Sequence, residues 1–388
     1  ESINQLDSTW QGHDLSGAKH SQSTRIMFHN VNGISLRGTE GLDMFVNEQV
    51  SMEIDIQGIT EHCLDSTKYP VYQTAQDIVR SQAPGLSVLS LHSSTESALN
   101  LYKPGGTGWL ILGDIVSRLE PNGISGDSMG RWSSMHLRRK DLPPLTIVTA
   151  YQVCPRPTNL LGNTAYHQQM RALSAQGTPD VHPRQAFIRD LEAYLRHLQA
   201  RGHDIILGGD FNESLSDKKS GILKIATSLN LTDPFLSQFP QHPAFGTHIS
   251  GTRRIDLVLM SPNLLSSLQK IGYAPFHYAK RSDHRPLLLE FDTKRLFGYT
   301  TGNLQSAQNR VVKTKDRLSV TRFITEWYHQ IELRSGFELK NQLDQDTANT
   351  EVVESVDSII GTSGKIAERT CKRRRPEFYS QALVQQRI

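Results

Sequence analysis

Eight short apolar runs, separated by segments rich in glycine, asparagine and proline, most strongly constrain what this 388-residue chain can fold into. Each run has the length of a β-strand, and several lack the alternating polar positions of a half-exposed strand. The pattern therefore predicts a domain whose strands are partly buried on both faces. The runs are Ile26–Phe28, Ile54–Ile59, Leu86–Leu91, Gly108–Leu112, Leu145–Tyr151, Asp204–Leu207, Ile255–Met260 and Leu287–Phe291.

Helical patterns occupy some of the intervals between these runs. The clearest covers Arg184–Ala200, where apolar residues recur on one helix face, after Pro183 and before Gly202. Lys219–Leu229 and Gly41–Val50 are shorter candidates.

Two polar segments, Pro121–Trp132 and Asn159–His182, have the composition of exposed loops. Long loops in compact domains are often functional, and insertions without consequence are the simpler alternative.

The strand pattern stops after Phe291, and residues 305–370 have mainly helical spacing. In this region Val320, Phe323, Trp327 and Ile331 recur at steps of three and four, as on one helix face. We therefore predict a disordered leader over residues 1–23, one domain over 24–293, and a helical basic extension over 294–388.

The net charge of +3 is unevenly distributed. Residues 293–388 hold 16 Lys and Arg against 11 Asp and Glu, a net charge of +5, and the rest holds 26 against 28, a net charge of −2. A slightly acidic body that binds a polyanion needs another source of positive charge, such as a bound cation. The basic run Lys372–Arg375 is either a solvated surface, a nucleic-acid contact or a nuclear signal.

Composition excludes several classes of protein. No apolar stretch approaches the roughly 18–20 residues of a membrane helix. Cys63, Cys154 and Cys371 are far apart and form no CxxC pair, which predicts reduced thiols and argues against a structural zinc site.

Polar side chains stand in or beside six of the apolar runs, where strand ends form the rim of a sheet. Asn30 and Asn32 follow the first run, Glu61 follows the run ending at Ile59, and Tyr151 ends another. A carboxylate directly after a buried strand needs a partner. Taken one at a time, a turn, a helix cap and a core tyrosine explain these positions equally well.

The remaining positions indicate chemistry more directly. Asp210 and Asn212 follow two glycines, so that a sharp turn can bring a carboxylate and a carboxamide to the same side. Such a pair could orient a water and stabilise an oxyanion. Asp256 lies inside an apolar strand, where an acid can fix the tautomer of a histidine, and Asp283 and His284 precede the last run.

No nucleophile elbow and no P-loop accompany these residues. Carboxylates and amides without thiols suit a hard divalent cation, Mg²⁺ or Mn²⁺, held by few protein ligands together with water and a substrate phosphate. The residues therefore predict phosphoester hydrolysis.

In its order and spacing, the series of motifs resembles the endonuclease/exonuclease/phosphatase superfamily, which includes deoxyribonuclease I, exonuclease III and apurinic endonucleases. The likeness covers about Arg25–Phe291 and rests on Asn30, Glu61, Tyr151, Gly-Asp210-Phe-Asn212, Ile-Asp256 and Ser282-Asp283-His284.

The opening Asn-Val-Asn-Gly, the closing Ser-Asp-His-Arg-Pro and the basic tail are most similar to endonuclease domains of non-LTR retrotransposon polyproteins. No reverse transcriptase motif such as Tyr-x-Asp-Asp is present, which predicts a truncated product. Asn32 stands where apurinic endonucleases commonly have an acid, which weakens a strict repair assignment.

The resemblance implies an α/β (α+β) fold: a four-layer sandwich of two mixed β-sheets flanked by helices, with a C-terminal helical extension. It implies a DNA endonuclease that uses Mg²⁺ (or Mn²⁺). The roles it implies are water activation by Asp210, charge stabilisation by Asn212 and His284, orientation of His284 by Asp256, phosphate contact by Tyr151, metal binding by Glu61, Asn30 and Asp283, and substrate contact by Asn32, Thr247, Arg281 and Ser282.

The implied partner is DNA, with the element's own RNA and a downstream reverse transcriptase as further partners, no membrane, and a nuclear location. Alternatives within the fold are an apurinic or exonuclease III-like repair nuclease and a phosphatase or sphingomyelinase. The inositol-phosphatase motifs are absent. An inactive relic that only binds nucleic acid is the alternative from another class.

Overall fold

The structure is a computed structural model, and it describes residues 9–36, 41–83, 85–96, 102–156, 162–178, 182–276, 278, 282–299, 316–344 and 350–371. The chain divides into two compact units, Glu1–Leu304 and Gln305–Ile388. The first unit contains the strands and the second contains helices.

Twelve strands and seven helices are described in the first unit. The strands are β1 (Gln11–Gly12), β2 (Ser23–Asn30), β3 (Ile56–Thr60), β4 (Ser87–His92), β5 (Thr107–Leu112), β6 (Leu119–Gly126), β7 (Trp132–Leu137), β8 (Leu145–Tyr151), β9 (Asp204–Asp210), β10 (Asp256–Met260), β11 (Leu268–Tyr273) and β12 (Leu287–Asp292). The helices are α1 (Leu42–Ser51), α2 (Tyr69–Gln82), α3 (Ala165–Ala175), α4 (Pro183–Ala200), α5 (Gly221–Ser228), α6 (Pro234–Gln238) and α7 (Thr293–Phe297).

The strands form two mixed sheets. One has seven strands in the order β1-β11-β12-β2-β3-β5-β4, and the other has five in the order β10-β9-β8-β7-β6. Only β2–β3 and β8–β9 are parallel among the described pairs. Apolar residues from both sheets form one buried cluster between them. On the outer faces, α1 and α2 pack against the seven-stranded sheet, and α4 and α5 pack against the five-stranded sheet. The predicted four-layer sandwich is confirmed.

Each of the eight apolar runs overlaps a strand, and the three predicted helices are α1, α4 and α5. In α4, Pro183 occupies the first turn and the His182 side chain accepts a hydrogen bond from the Arg184 backbone, which caps the helix. The apolar stripe of α4 is buried against the sheet, as its periodicity predicts.

Three predictions about less regular segments were wrong. Pro121–Gly126 lies in β6 and Trp132 begins β7, so Pro121–Trp132 is a strand pair rather than an exposed loop. Asn159–His182 contains α3, most of whose residues are buried. Gln11–Gly12 of the predicted leader pairs with β11, and Leu15 is buried, so residues 9–23 are ordered. Residues 1–8 lie outside the described residues.

The boundary between the two units also differs from the prediction at residue 293. Helix α7 begins at Thr293 and buries Leu296 and Phe297, so it completes the first unit.

In the second unit the described helices are α8 (Arg317–Leu333), α9 (Gly336–Asp344) and α10 (Thr350–Thr370). The predicted face of α8 is partly buried, with Ile331 buried. The Lys372–Arg375 run lies outside the described residues. In the parts of the chain that the structure covers, no helix has both the length and the apolarity needed to cross a membrane.

Phe28 of β2 fills space that two glycines leave open between the sheets. A Cβ added at Gly58 of β3 would lie 2.7 Å from the Phe28 ring, and one added at Gly208 of β9 would lie 2.6 Å from it. Because Gly58 and Phe28 belong to one sheet and Gly208 to the other, the ring sets the spacing of the sheets at this point.

We expect Gly208→Ala to destabilise the fold by about 1–3 kcal/mol, because a methyl group would overlap an enclosed ring. The double variant Phe28→Leu/Gly208→Ala should lose less than the sum of its single variants, because the smaller side chain makes room for the methyl group.

Urea denaturation of the four proteins measures this coupling. Gly17→Ala is the control, since no atom lies within 4 Å of the added Cβ. Additive losses would show that Phe28 and residue 208 do not compete for the same space.

Candidate active site

The polar residues singled out from the sequence meet at one rim of the sandwich. Asn30 ends β2 and Glu61 follows β3, its parallel neighbour. On the facing sheet, Tyr151 and Asp210 end the parallel strands β8 and β9 as register partners, and Asp256 begins β10 opposite Asp210. Since parallel strands end at the same edge, this topology brings side chains from both sheets together.

Asn30 joins the two sheets. Its Nδ2 donates to Glu61 Oε2 at 2.8 Å and to Asp210 Oδ2 at 2.9 Å. Its Oδ1 accepts from the Asn32 backbone N–H at 3.0 Å. In this structure the Asn30 amide therefore links the two carboxylates, and its role as a metal ligand stays a prediction.

His284 and Asp256 form a second connection between the sheets. Nδ1 of His284 lies 2.9 Å and 3.1 Å from the two carboxylate oxygens of Asp256, and Nε2 lies 3.8 Å from Asp210 Oδ2. Burial opposes charging of the imidazole, but the carboxylates of Asp256 and Asp210 outweigh it and raise the pKa of His284 to about 10. At neutral pH the imidazole is therefore a cation held in place by Asp256.

For Asp210, in contrast, the surroundings disfavour the charged form. It is fully enclosed, and burial, followed by the charges of Asp256 and Glu61, raises its pKa to about 7, although His284 opposes the increase. A carboxylate whose pKa lies near neutrality is well matched to accept a proton from water at that pH. The environments of Asp210 and His284 thus separate a proton acceptor from a cationic donor.

Asn212 and Tyr151 lie beside Asp210. Asn212 Nδ2 donates to the carbonyl of Gln152 at 2.7 Å and lies 3.3 Å from Asp210 Oδ2. Burial and the nearby carboxylates of Glu61 and Asp210 raise the pKa of Tyr151 well above its ordinary value, so the phenol keeps its proton as a donor.

The backbone at this rim is unusual. Asn32, Glu61 and Asn212 all have left-handed φ angles, of 45°, 54° and 48°. Glutamate rarely adopts this conformation, which costs about 1–3 kcal/mol outside glycine and collects at functional sites.

Two predicted substrate contacts, Thr247 and Ser282, have hydroxyls that bond to backbone groups. The buried Thr247 hydroxyl accepts from the backbone N–H groups of Ile255 and Asp256, both at 3.0 Å. The buried Ser282 hydroxyl donates to the Asn30 carbonyl at 2.6 Å. Both hydroxyls hold the strand ends that carry other site residues.

Of the other two predicted substrate contacts, Asn32 is exposed at the rim. Arg281 lies outside the described residues.

Asp283 contacts a residue that the sequence did not suggest. Its Oδ2 lies 3.3 Å from Nε2 of His248, whose ring packs edge-on against the His284 ring at 4.9 Å. Among the predicted metal ligands, Asn30 thus contacts Glu61, whereas Asp283 contacts His248.

The sequence also missed Gln152 and Cys154. Gln152 contacts Asn212 through its backbone, and Cys154 donates from Sγ to Asn212 Oδ1 at 3.0 Å. The only available signal for these residues was their position just after a strand that ends in a candidate residue. The site opens into a cavity of about 520 Å³ whose rim includes Tyr102, Arg156 and Arg253.

The donor set suits a metal ion. Two carboxylates, from Glu61 and Asp210, share the neutral amide donor of Asn30, and a divalent cation held by Glu61 would offset their negative charge. Two clusters of carboxylate and histidine groups at this rim could also hold an ion, namely Asp210 with Asp256 and His284, and His248 with Asp283 and His284. The first is already joined by the His284–Asp256 bond.

Comparison with known proteins agrees with this description. Residues 95–284 match the Endonuclease/Exonuclease/phosphatase family. No curated protein sequence matched the chain. The matched segment includes the rim residues Tyr151, Asp210, Asn212, Asp256 and His284.

Solved structures of other proteins resemble this chain. The chain is similar to the AP endonuclease LMAP from Leishmania major, with a TM-score of 0.54 and 16% identity over 74% of this chain and 93% of that one. It is also similar to an AP endonuclease from Archaeoglobus fulgidus (TM-score 0.46, 17% identity, 69% and 99% covered) and to the human Nocturnin catalytic domain (0.44, 16%, 70% and 93%). At such low identity, the Leishmania likeness supports the fold alone.

Asp256→Asn should lower the pKa of His284 from about 10 toward its ordinary value of 6.5, because it removes the strongest charge that favours the cation. Because the pKa of His284 is raised, the folded state binds more protons than the unfolded state between pH 6.5 and about pH 10. In the wild type, this stabilisation is complete below about pH 6.5 and is lost as the pH rises through about 10.

Histidine NMR titration of the metal-free protein measures the pKa, and denaturation at several pH values measures the slope. An unchanged His284 titration in the variant would show that Asp256 does not set the charge of the imidazole.

Proposed function

We propose that this protein is a divalent-metal-dependent phosphodiesterase that nicks DNA. The proposal rests mainly on one observation: a near-neutral carboxyl group, Asp210, lies between a cationic imidazole and a second carboxylate at the rim where the two sheets meet. The family match and the absence of a nucleophile elbow support water, rather than a side chain, as the attacking group.

Each side chain has a separate role in this reaction. Asp210 accepts the proton of a water that attacks phosphorus in line with the leaving oxygen. His284, held by Asp256, donates to the phosphoryl oxygens as negative charge develops on them. The amide of Asn212 and the phenol of Tyr151 donate to the same oxygens. Asn30 donates hydrogen bonds to both Glu61 and Asp210 and so fixes the positions of the two carboxylates.

Glu61 would hold the divalent cation, Mg²⁺ or Mn²⁺, so that Asp210 stays free to accept the proton. When bound, the cation supplies Lewis acidity toward a phosphate oxygen and stabilises the leaving oxyanion. The retrotransposon type of endonuclease, with target DNA as substrate and a nuclear location, is the specific form we propose. It is supported by the closing motif Ser282-Asp283-His284-Arg285-Pro286 and the basic run after Cys371.

Asp210→Asn should reduce nicking of supercoiled plasmid by roughly 10²–10⁴-fold with little change in DNA affinity, because it removes the proton acceptor and keeps the shape. Nicking is measured with Mg²⁺ and again with EDTA, and affinity is measured by fluorescence anisotropy. Asp77→Asn, at a side chain 74% exposed on α2, is the matched control.

The same assays separate the alternatives. Nicking by Asp210→Asn at the wild-type rate would contradict the assigned role of this carboxylate. Wild-type DNA binding without metal-dependent nicking would favour an inactive relic. Selective hydrolysis of phosphomonoesters would favour a phosphatase.

Glu61→Gln should raise the Mg²⁺ concentration needed for half-maximal nicking, because a neutral amide replaces an anionic ligand. Glu192→Gln, at an α4 side chain that pairs with Arg196, should leave that concentration unchanged. Binding of Mn²⁺ followed by electron paramagnetic resonance gives the affinity without turnover. An identical metal affinity in Glu61→Gln and wild type would exclude Glu61 as a ligand.

A further inference from the structure

Arg184, in the first turn of α4, donates hydrogen bonds to both chain segments that follow the catalytic strands of the five-stranded sheet. Its Nη1 donates to the carbonyl of Val153 at 2.6 Å, two residues after Tyr151. Its Nη2 donates to the carbonyl of Asn212 at 3.3 Å and to Glu213 Oε1 at 2.8 Å. One guanidinium group therefore joins the segment after β8 to the segment after β9.

Glu213 connects this guanidinium to the next helix. Its Oε2 accepts from the Ser220 hydroxyl at 2.9 Å and from the Ile222 backbone N–H at 3.1 Å, at the start of α5. The Arg184 and Glu213 side chains are 15% and 18% exposed, so water weakens their pairing less than at an open surface. We refer to these two side chains as the Arg184–Glu213 clamp.

The segments that the clamp joins need to be held. Gly209 and Asn212 have φ angles of 141° and 48°, so the chain leaves β9 in an irregular conformation. Near their tips the two segments touch through Cys154 Sγ and Asn212 Oδ1 at 3.0 Å, and through Asn212 Nδ2 and the Gln152 carbonyl at 2.7 Å. A movement of either segment would displace the Asn212 amide.

We propose that Arg184 is a positioning residue for the phosphodiester chemistry, which fixes Asn212 and Tyr151 relative to Asp210 through the Arg184–Glu213 clamp. Arg184 contacts backbone carbonyls and Glu213 and none of the acidic groups at the rim. The planar fork of arginine suits this task because separate nitrogens point at separate acceptors, whereas lysine has one nitrogen. This inference rests on the proposed function.

The kinetic test compares Arg184→Ala with Arg184→Lys. Because a displacement of about 1 Å can reduce a rate by about 10²-fold, we expect kcat of Arg184→Ala to fall by roughly 10–10²-fold while KM changes little. Arg184→Lys should recover part of this loss. Guanidinium ion at millimolar concentration should accelerate Arg184→Ala and leave the wild type unchanged. Arg189→Ala, on the same helix at a 58% exposed side chain, is the control.

A second readout does not depend on activity. Cys154 is exposed whereas Cys63 and Cys371 are buried, so a chromogenic disulfide reagent reports on the segment after β8. In Arg184→Ala one thiol should react about tenfold faster, because the contact of Cys154 Sγ with Asn212 Oδ1 breaks more often. This fast reaction should be missing when Arg184→Ala is combined with Cys154→Ser. Rapid reaction of all three thiols would show that Arg184→Ala unfolds. Arg184→Lys then decides: a folded variant with a single fast thiol supports the positioning role of Arg184, and any other result overturns it.

The two readouts also separate this inference from the proposed function. A wild type without nuclease activity would contradict the function, and the thiol rates would still test whether the clamp holds the segments. Arg184→Ala with the kcat and the thiol rate of Arg189→Ala would overturn the inference.

Discussion

Face-to-face packing of the two mixed sheets is the constraint on which the rest of the structure depends. Each sheet has an apolar inner face, and burial of these faces stabilises the fold by about 25 cal/mol per Å² of apolar surface. The same contact fixes which strand ends meet. Asn30 comes from one sheet and Asp210 from the other, and their side chains are within 2.9 Å only because the sheets are stacked in this register. The site is therefore a property of the interface and of neither sheet alone.

The charges of the site destabilise the packed sheets that bring its residues together. Asp210 and Asp256 are both buried, and they are register partners on adjacent strands, so their charges repel in a poorly solvated place. His284 offsets part of this repulsion, and the raised pKa of Asp210 shows that the compensation is incomplete. Side chains that are unfavourable for folding and share one rim are typical of catalytic sites. This electrostatic pattern, rather than any single residue, distinguishes the rim from the remainder of the surface.

Much of this arrangement could be predicted from the sequence, because the signals were local. Runs buried on both faces have no polar positions to confuse the pattern, so β2, β8 and β9 stood out. Strand β6 did not, because it has an exposed edge and includes Pro121 and Gly123. The acids at strand ends were recognised individually and by family likeness.

What the sequence could not supply was their pairing across the sheets. Nothing local indicates that Ser282 bonds to the end of β2, that Thr247 supports β10, or that His248 lies against Asp283. Such contacts depend on where distant loops come to rest, which only the folded chain shows.

The order of strands in the seven-stranded sheet has a consequence for biosynthesis. Strand β2, near the start of the chain, pairs with β12 near the end of the first unit, and a buried ion pair between Arg25 and Glu290 joins them at 2.8 Å. A nascent chain on the ribosome therefore cannot complete this sheet until β12 has emerged, and until then Arg25 has no Glu290 to neutralise it. Because His284 lies just before β12, its imidazole can reach Asp256 and Asp210 only when this strand has emerged.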